Sequence, residues 1–163
     1  MGNHEQMACE YYWGNLDEGH YRMNGGAWFI ELQRFEQAKI VAALKRLPIA
    51  IEIETEMGTV AIVHAACDHP TWDAFKSAIA GPLGIRHIEN AVWGRDRASG
   101  ENFGPVGDVR AVVVGHTPSQ EIHRIDNVVF IDTGGWIRGG QCGNVISIID
   151  AATLEPAFAP VSA

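Results

Sequence analysis

The sequence has no long apolar run, no excess of positive charge and no paired cysteines, and each absence excludes a class of protein. No stretch stays apolar for the roughly 20 residues that a membrane-spanning helix needs, and the first residues are too polar for a signal peptide. The net charge of −8 leaves no basic surface for nucleic acid or an anionic membrane. We therefore expect a soluble, cytoplasmic protein that binds neither nucleic acid nor membrane.

The three cysteines, Cys9, Cys67 and Cys142, lie far apart and form no CxxC pair. Their odd number and wide spacing predict neither a disulfide framework nor a zinc knuckle, so we expect buried, reduced thiols. A chain of 163 residues that is 47% apolar can bury one core, and no repeat or linker-like run divides it. The sequence therefore predicts a single domain over residues 1–163.

The apolar pattern that is present alternates between helix and strand. Apolar residues recur at three- and four-residue steps from Phe35 to Leu47, which predicts a helix closed by Pro48. Runs of β-branched residues predict strands at 49–55, 59–65, 110–115, 128–133 and 144–149. The first two should form a hairpin, and the third and fourth are so continuously apolar that both faces should be covered. The pattern predicts an α/β fold.

Polar side chains follow three of the predicted strands directly. His64 ends one strand, His116 and Thr117 follow the next, and Asp132 follows the third. Side chains at such strand ends meet at one rim of a sheet, where α/β proteins usually place their sites. Imidazole suits manganese, iron or zinc, so His64 and His116 could share one ion. Equally, each could be a structural histidine bonded to a backbone carbonyl, and the residues alone leave both interpretations open.

Two neighbours of His116 also fit a site. Gly115 has no side chain, so the backbone there could approach a ligand closely. The hydroxyl of Thr117 could orient a neighbouring ligand. A further polar cluster, Gly2-Asn3-His4-Glu5, stands at the start of the sequence.

Seven short blocks together resemble the calcineurin-like metallophosphoesterases, and within them the phosphoprotein phosphatases like that of bacteriophage lambda. In chain order they are Gly2-Asn3-His4-Glu5 (GNHE), Asn24-Gly25-Gly26 (NGG), Leu47-Pro48 with the strand after it, His64-Ala65, Trp93-Gly94-Arg95 (WxR), Gly115-His116-Thr117-Pro118 (GHTP) and Ile131-Asp132-Thr133-Gly134 (IDTG). Each block alone is weak evidence, whereas all of them in the family's order, across nearly the whole chain, are strong evidence.

The resemblance implies a role for each matched site residue. Asn3, His64 and His116 would be ligands of the family's second metal ion. His4 would be the general acid that protonates the leaving alkoxide, because imidazole exchanges protons near neutral pH. Arg95 would bind phosphate oxygens with its planar, permanently charged guanidinium. The implied cofactor is a divalent metal, Mn²⁺ in these phosphatases, with two ions in the complete site.

Several other polar residues match no block. Arg97 is expected to be a solvated surface arginine. The remaining histidines are expected to be surface or structural residues: His20, His69, His87 and His123.

The sequence contains neither of the family's first two blocks, GDxHG and GDxVDRG. In the family these supply the ligands private to the first metal, the carboxylate that bridges both metals, a second phosphate-binding arginine and the aspartate that orients the catalytic histidine. We therefore expect part of a metallophosphoesterase β-sandwich flanked by helices, N-terminally incomplete and without the first strands. At most one ion would be held here, and weakly.

The function that the resemblance implies is hydrolysis of phosphoserine or phosphothreonine in proteins, or of small phosphoesters. One alternative is diadenosine tetraphosphate hydrolysis in the same superfamily, but that branch has Asp where this chain has Glu5. The other alternative is a non-catalytic truncated fragment. Neither the oligomeric state nor the physiological substrate follows from the sequence.

Overall fold

The computed structural model describes residues 1–137 and 142–157, and the chain divides into two compact units, 1–49 and 50–163. Within the described ranges, no helix combines the length and the apolar character needed to cross a membrane. The single domain expected from the sequence stays a prediction.

The first unit is helical. Its helices are α1 (Asn3–Tyr12), α2 (Glu18–Met23), α3 (Ala27–Ile30) and α4 (Arg34–Leu44). The sequence predicted only α4, which is confirmed but ends three residues before the expected Leu47. The other three were missed, because none of them carries a long apolar stripe.

The start of α1 is fixed by a local hydrogen bond. Gly2 is the residue before the helix and has an extended backbone, and its N–H donates to Glu5 Oε2 at 2.9 Å. A carboxylate three residues into a helix satisfies a free backbone donor and complements the helix dipole. The block Gly2-Asn3-His4-Glu5 therefore places Asn3 and His4 at a defined helix N-terminus.

The core of the first unit forms around Phe29, whose side chain is 0% exposed. The rings of Tyr11 and Tyr21 meet it edge-on, with centroids 6.4 and 6.1 Å away. The backbone carbonyl of Phe29 accepts a buried hydrogen bond of 2.9 Å from Gln37 Nε2 on α4. Aromatic packing and this buried amide together join α3 to α1, α2 and α4.

The second unit contains a five-stranded mixed sheet and two helices. Its elements are β1 (Ala50–Ile53), β2 (Val60–Val63), α5 (Trp72–Ala80), α6 (Gly84–Trp93), β3 (Ala111–Val114), β4 (His123–Ile125) and β5 (Val128–Phe130). The strand order is β1-β2-β3-β5-β4, with β2, β3 and β5 parallel and both edge strands antiparallel. Helices with a mixed sheet confirm the predicted α/β class and are consistent with part of a metallophosphoesterase fold.

The central strands follow the sequence closely. The β1-β2 hairpin is confirmed as an antiparallel pair, and every residue of β3 and β5 is buried, as their continuous apolar runs predicted. A strand that is covered on both faces does not alternate apolar and polar residues.

The predicted strand at 144–149 is wrong. This segment makes only isolated bridges, Gly134 with Val145 and Ile149 with Pro156, and Ile146 and Ile148 are exposed. Its alternation resembles a strand, but alternation alone does not supply a neighbour with which to form a ladder. The sequence also missed β4, which is three residues long, and the helices α5 and α6.

The thiol prediction is confirmed for two of the three cysteines. Cys9 and Cys67 are free and buried, whereas Cys142 is free and partly exposed. Burial raises the pKa of the Cys67 thiol to about 11, so it stays protonated at neutral pH.

Replacing Phe29 with Ala should lower the free energy of unfolding by about 3–5 kcal/mol, because a buried aromatic ring leaves a cavity that its neighbours only partly fill. Phe35→Ala is the matched control, since this phenylalanine of α4 is 61% exposed; its effect should stay within about 0.5 kcal/mol. Urea denaturation followed by circular dichroism measures both. Equal losses in the two variants would contradict this account of the core.

Candidate metal and phosphate site

The parallel pairing of β2, β3 and β5 sets the position of the polar residues that follow these strands. His64, His116 and Asp132 come one or two residues after their ends, at the carboxyl edge of the sheet. The ring centroids of His64 and His116 are 5.1 Å apart. The two histidines that the sequence placed at neighbouring strand ends therefore do lie together.

His116 presents one ring nitrogen without a protein partner. Its side chain is 8% exposed, and Nε2 is buried without a hydrogen bond among the described residues. The ring bonds to the backbone of Trp93, and by elimination this bond uses Nδ1. A backbone partner on one nitrogen fixes the tautomer and leaves the lone pair of the other available, which is the usual arrangement of a metal-binding histidine.

The electrostatic surroundings keep His116 neutral. Burial, followed by the positive charge of Arg95 and the neighbouring His64, lowers the pKa of His116 to about 4. At pH 7 the imidazole is therefore unprotonated. Only the unprotonated form can act as a ligand, so the surroundings favour the state that would bind a cation.

The backbone at His116 is in an uncommon conformation. Its φ is +66°, and the N–H of Thr117 donates to the Gly115 carbonyl at 2.7 Å across a tight turn. Such a conformation in a residue other than glycine costs on the order of 1–3 kcal/mol and is found most often at functional sites.

The role predicted for Gly115, close approach of the backbone to a ligand, stays a prediction. A Cβ at this position would have its nearest neighbours at 3.7 and 3.9 Å, which is ordinary contact. Its N–H donates to the His64 carbonyl at 2.9 Å, which ties the ends of β2 and β3 together.

Arg95 lies beside the two histidines. Its Nη1 donates to Thr117 Oγ1 at 3.1 Å, and its side chain is exposed. The Thr117 hydroxyl therefore holds the arginine in place, and its predicted role in orienting a ligand stays a prediction. A guanidinium with most of its donors open to solvent, next to the two imidazoles, can bind an anion at the same rim.

The IDTG block closes the third strand end. Asp132 Oδ1 accepts from the N–H of Gly134 at 2.9 Å, and the buried Thr133 hydroxyl bonds to the Val145 carbonyl at 2.6 Å. These contacts bring the segment around Val145 against the sheet and hold the turn after β5 in place.

The other two predicted site residues lie in the first unit. Asn3 is the first residue of α1 and is buried, and His4 follows it and is exposed. The structure thus brings His64, His116 and Arg95 together in one unit and places Asn3 and His4 side by side in the other. Convergence of all five stays a prediction.

The donor atoms present fit part of a metal site. Residues 1–137 and 142–157 contain no group of three or more His, Cys, Asp or Glu side chains arranged to hold an ion. The two imidazoles of His64 and His116 are nevertheless suitable ligands for a borderline divalent cation.

The surface position predicted for Arg97 is wrong. Its side chain is 3% exposed, Nη1 donates to the Gly104 carbonyl at 2.8 Å, and the same nitrogen lies 3.3 Å from Asp126 Oδ2. Its Nε lies 4.0 Å from Asp68 Oδ1, and neither of these two atoms has a hydrogen bond among the described residues. No local pattern could have shown this, because both carboxylates are 29 residues away along the chain.

Burial of Arg97 has a consequence for Arg95. The two arginines share one turn, in which the N–H of Ser99 donates to the Arg95 carbonyl at 2.8 Å and the N–H of Gly100 donates to the Arg97 carbonyl at 3.1 Å. The buried arginine therefore anchors the turn from which the exposed one reaches the site.

The unmatched histidines lie at the surface or in packing contacts. The rings of His69 and His87 are 5.1 Å apart, and burial lowers the pKa of His69. His123 stacks on Phe130 with ring centroids 4.8 Å apart, and His20 is exposed. These positions agree with the surface or structural roles expected for them.

Comparison with curated proteins finds a relative among the phosphatases. The chain is 28% identical over 145 residues to Serine/threonine-protein phosphatase 2 of Salmonella typhimurium strain LT2. The alignment covers 85% of this chain and 62% of the Salmonella protein, so the chain spans less than two thirds of that relative's length. No protein-family model matches the chain. The similarity confirms the relationship to phosphoprotein phosphatases that the sequence blocks indicated.

Replacing Arg97 with Ala should lower the free energy of unfolding by about 3–5 kcal/mol, because it leaves the nearly buried carboxylate of Asp68 without its cation. Arg95→Ala, two residues away and exposed, should change it by no more than about 0.5 kcal/mol. Thermal and urea denaturation of the two variants give the comparison. Similar stability of both would show that the buried contacts of Arg97 contribute little.

Proposed function

We propose that this chain is part of a metal-dependent serine/threonine protein phosphatase, an enzyme that hydrolyses phosphomonoesters in proteins. The observation that carries the proposal is the pair of imidazoles, His64 and His116, 5.1 Å apart at the carboxyl ends of two parallel strands, with Arg95 beside them. The identity of the Salmonella relative as a serine/threonine-protein phosphatase supports phosphoproteins as the substrates.

In the second unit, the residues that would hold a metal ion are His64 and His116, and the family resemblance adds Asn3 as a further ligand. The ion suggested by the family resemblance is Mn²⁺. When bound, metal ions in such sites lower the pKa of water and stabilise negative charge on phosphoryl oxygens. The chain's own contribution is to keep His116 unprotonated and to fix its tautomer through the Trp93 backbone.

Arg95 would bind the phosphoryl group itself. Thr117 occupies one of its guanidinium nitrogens, which orients the planar group while the remaining N–H donors stay available for phosphate oxygens. The anchored turn around Arg97 limits how far this guanidinium can move, and a positioned cation stabilises developing negative charge without reorganisation.

His4 would donate a proton to the leaving oxygen of the serine or threonine. It is exposed at the start of α1, and the hydrogen bond from Gly2 to Glu5 holds that end of the helix. An imidazole is suited to this role because its ordinary pKa lies near neutral pH.

The alternatives remain distinguishable. Diadenosine tetraphosphate hydrolysis is less well supported, because Glu5 stands where that branch has Asp. A non-catalytic role of the 163-residue chain is the other alternative, and adding the GDxHG and GDxVDRG blocks, as described below, tests it. These blocks would provide the carboxylate shared by two ions, which neither His64 nor His116 can replace.

The first test compares the 163-residue chain by itself with a restored enzyme, defined here as this chain preceded by family segments that contain GDxHG and GDxVDRG. The chain alone should show negligible Mn²⁺-dependent hydrolysis of p-nitrophenyl phosphate, because the bridging carboxylate is missing, and the restored enzyme should be active. Steady-state kinetics with and without EDTA measure both. Robust turnover by the short chain, abolished by His4→Asn, would refute this account of the site.

The second test separates the roles of His4 and Arg95 in the restored enzyme. His4→Asn should reduce kcat/KM for phosphoserine peptides by about 10²–10⁴-fold but affect p-nitrophenyl phosphate far less, because its phenolate leaves with little protonation. Arg95→Ala should reduce kcat/KM for both substrates by similar factors, since both carry the phosphoryl group that it binds. The ratio of the two kcat/KM values in each variant decides. If His4→Asn leaves this ratio unchanged, His4 is not the general acid.

A further inference from the structure

A cavity of about 180 Å³ adjoins His4 within the first unit. Glu5, Tyr21, Trp28, Ile40 and Leu44 are among the residues that line it. All of its walls come from residues 1–49, so the cavity belongs to that unit alone. Because the cavity lies next to the proposed proton donor, whatever occupies it would lie close to the leaving group.

The NGG block forms one side of this cavity. None of its residues has a catalytic role in the proposed function. Asn24, Gly25 and Gly26 all line it. Gly25 has a φ of +84°, and a Cβ on Gly26 would lie 2.4 Å from the ring of Tyr21. Both glycines are therefore required, one for the left-handed turn and one for the contact of the backbone with the aromatic face.

The walls favour an uncharged occupant. Trp28, Ile40 and Leu44 supply apolar surface, and burial raises the pKa of Tyr21 to about 12, which keeps its hydroxyl neutral. The Glu5 carboxylate already accepts a hydrogen bond from the Gly2 N–H. The volume is below the roughly 300–1,000 Å³ of pockets that hold whole small molecules, so it matches one side chain rather than a nucleotide.

We propose that this cavity binds an apolar side chain of the substrate protein, from a residue adjacent to the phosphorylated serine or threonine. The inference rests on the proposed function. The oxygen that His4 protonates belongs to the serine or threonine that leaves, so the neighbouring residues of that polypeptide must pass close to His4. The cavity beside His4 is an apolar recess within their reach, and it makes the enzyme select substrates by the residue that flanks the phosphate.

The kinetic test uses the restored enzyme and two phosphoserine peptides that differ only in a flanking residue, Leu or Ala, scanned over the positions on either side. The wild type should prefer Leu at one position. Trp28→Ala should reduce that preference, expressed as the ratio of kcat/KM values, by about 10-fold, the usual effect of losing part of an apolar pocket. Leu44→Trp, which narrows the cavity, should also reduce it.

Trp13→Ala is the matched control. Trp13 is 50% exposed and Trp28 is 56% exposed, both lie in the first unit, and Trp13 lines a different recess. The Leu preference should survive in this control. Absence of any flanking preference in the wild type, or an equal loss in Trp13→Ala and Trp28→Ala, would overturn the inference.

A binding test works on the 163-residue chain as it stands and does not require catalysis. The indole N–H resonance of Trp28, assigned by its loss in Trp28→Ala, should shift on titration with the Leu peptide and not with the Ala peptide, while that of Trp13 stays in place. No selective shift at millimolar peptide would overturn the inference. Failure of the restored enzyme to hydrolyse any phosphoester would instead overturn the proposed function, so the two failures are distinguishable.

Discussion

The parallel pairing of three central strands is the constraint on which the rest of the candidate site depends. Because β2, β3 and β5 run in the same direction, the residues that follow them emerge at one edge, and two of those residues are His64 and His116. The hydrogen bond from Gly115 to the His64 carbonyl then fixes the spacing of the two ends. The closeness of the two histidines is thus a result of sheet topology rather than of local sequence.

Further contacts at this edge fix the tautomer of His116 and hold the positive charge of Arg95 beside it. Trp93, at the end of α6, bonds one nitrogen of His116, and two residues later Arg95 contacts Thr117, immediately after the same histidine. The WxR and GHTP blocks are therefore one structural unit, although they are more than twenty residues apart. Arg97 stabilises it from inside through its buried contacts with carboxylates and a carbonyl.

The sequence predicted the features that depend on local pattern. The central strands, their hairpin neighbour and α4 follow from β-branched runs and from apolar periodicity, and the closeness of His64 and His116 follows from the strand ends. Helix α1 could not be predicted in this way, because its first residues are polar and its stability comes from the Gly2-Glu5 bond and from packing around Phe29. Burial of Arg97 and the cavity beside His4 depend on residues distant in sequence, which no local pattern records.

The left-handed backbone at His116 restricts which amino acids the rim can use at that point. Among residues with a side chain, Asn, Asp and His are those that most readily adopt a positive φ, and these are also residues that offer oxygen or nitrogen to a cation. Cysteine and glutamate could supply a donor atom, but they do not readily adopt a positive φ. Glycine adopts it readily but has no donor side chain. The backbone conformation of this one turn therefore limits which donor-bearing residues can occupy the position.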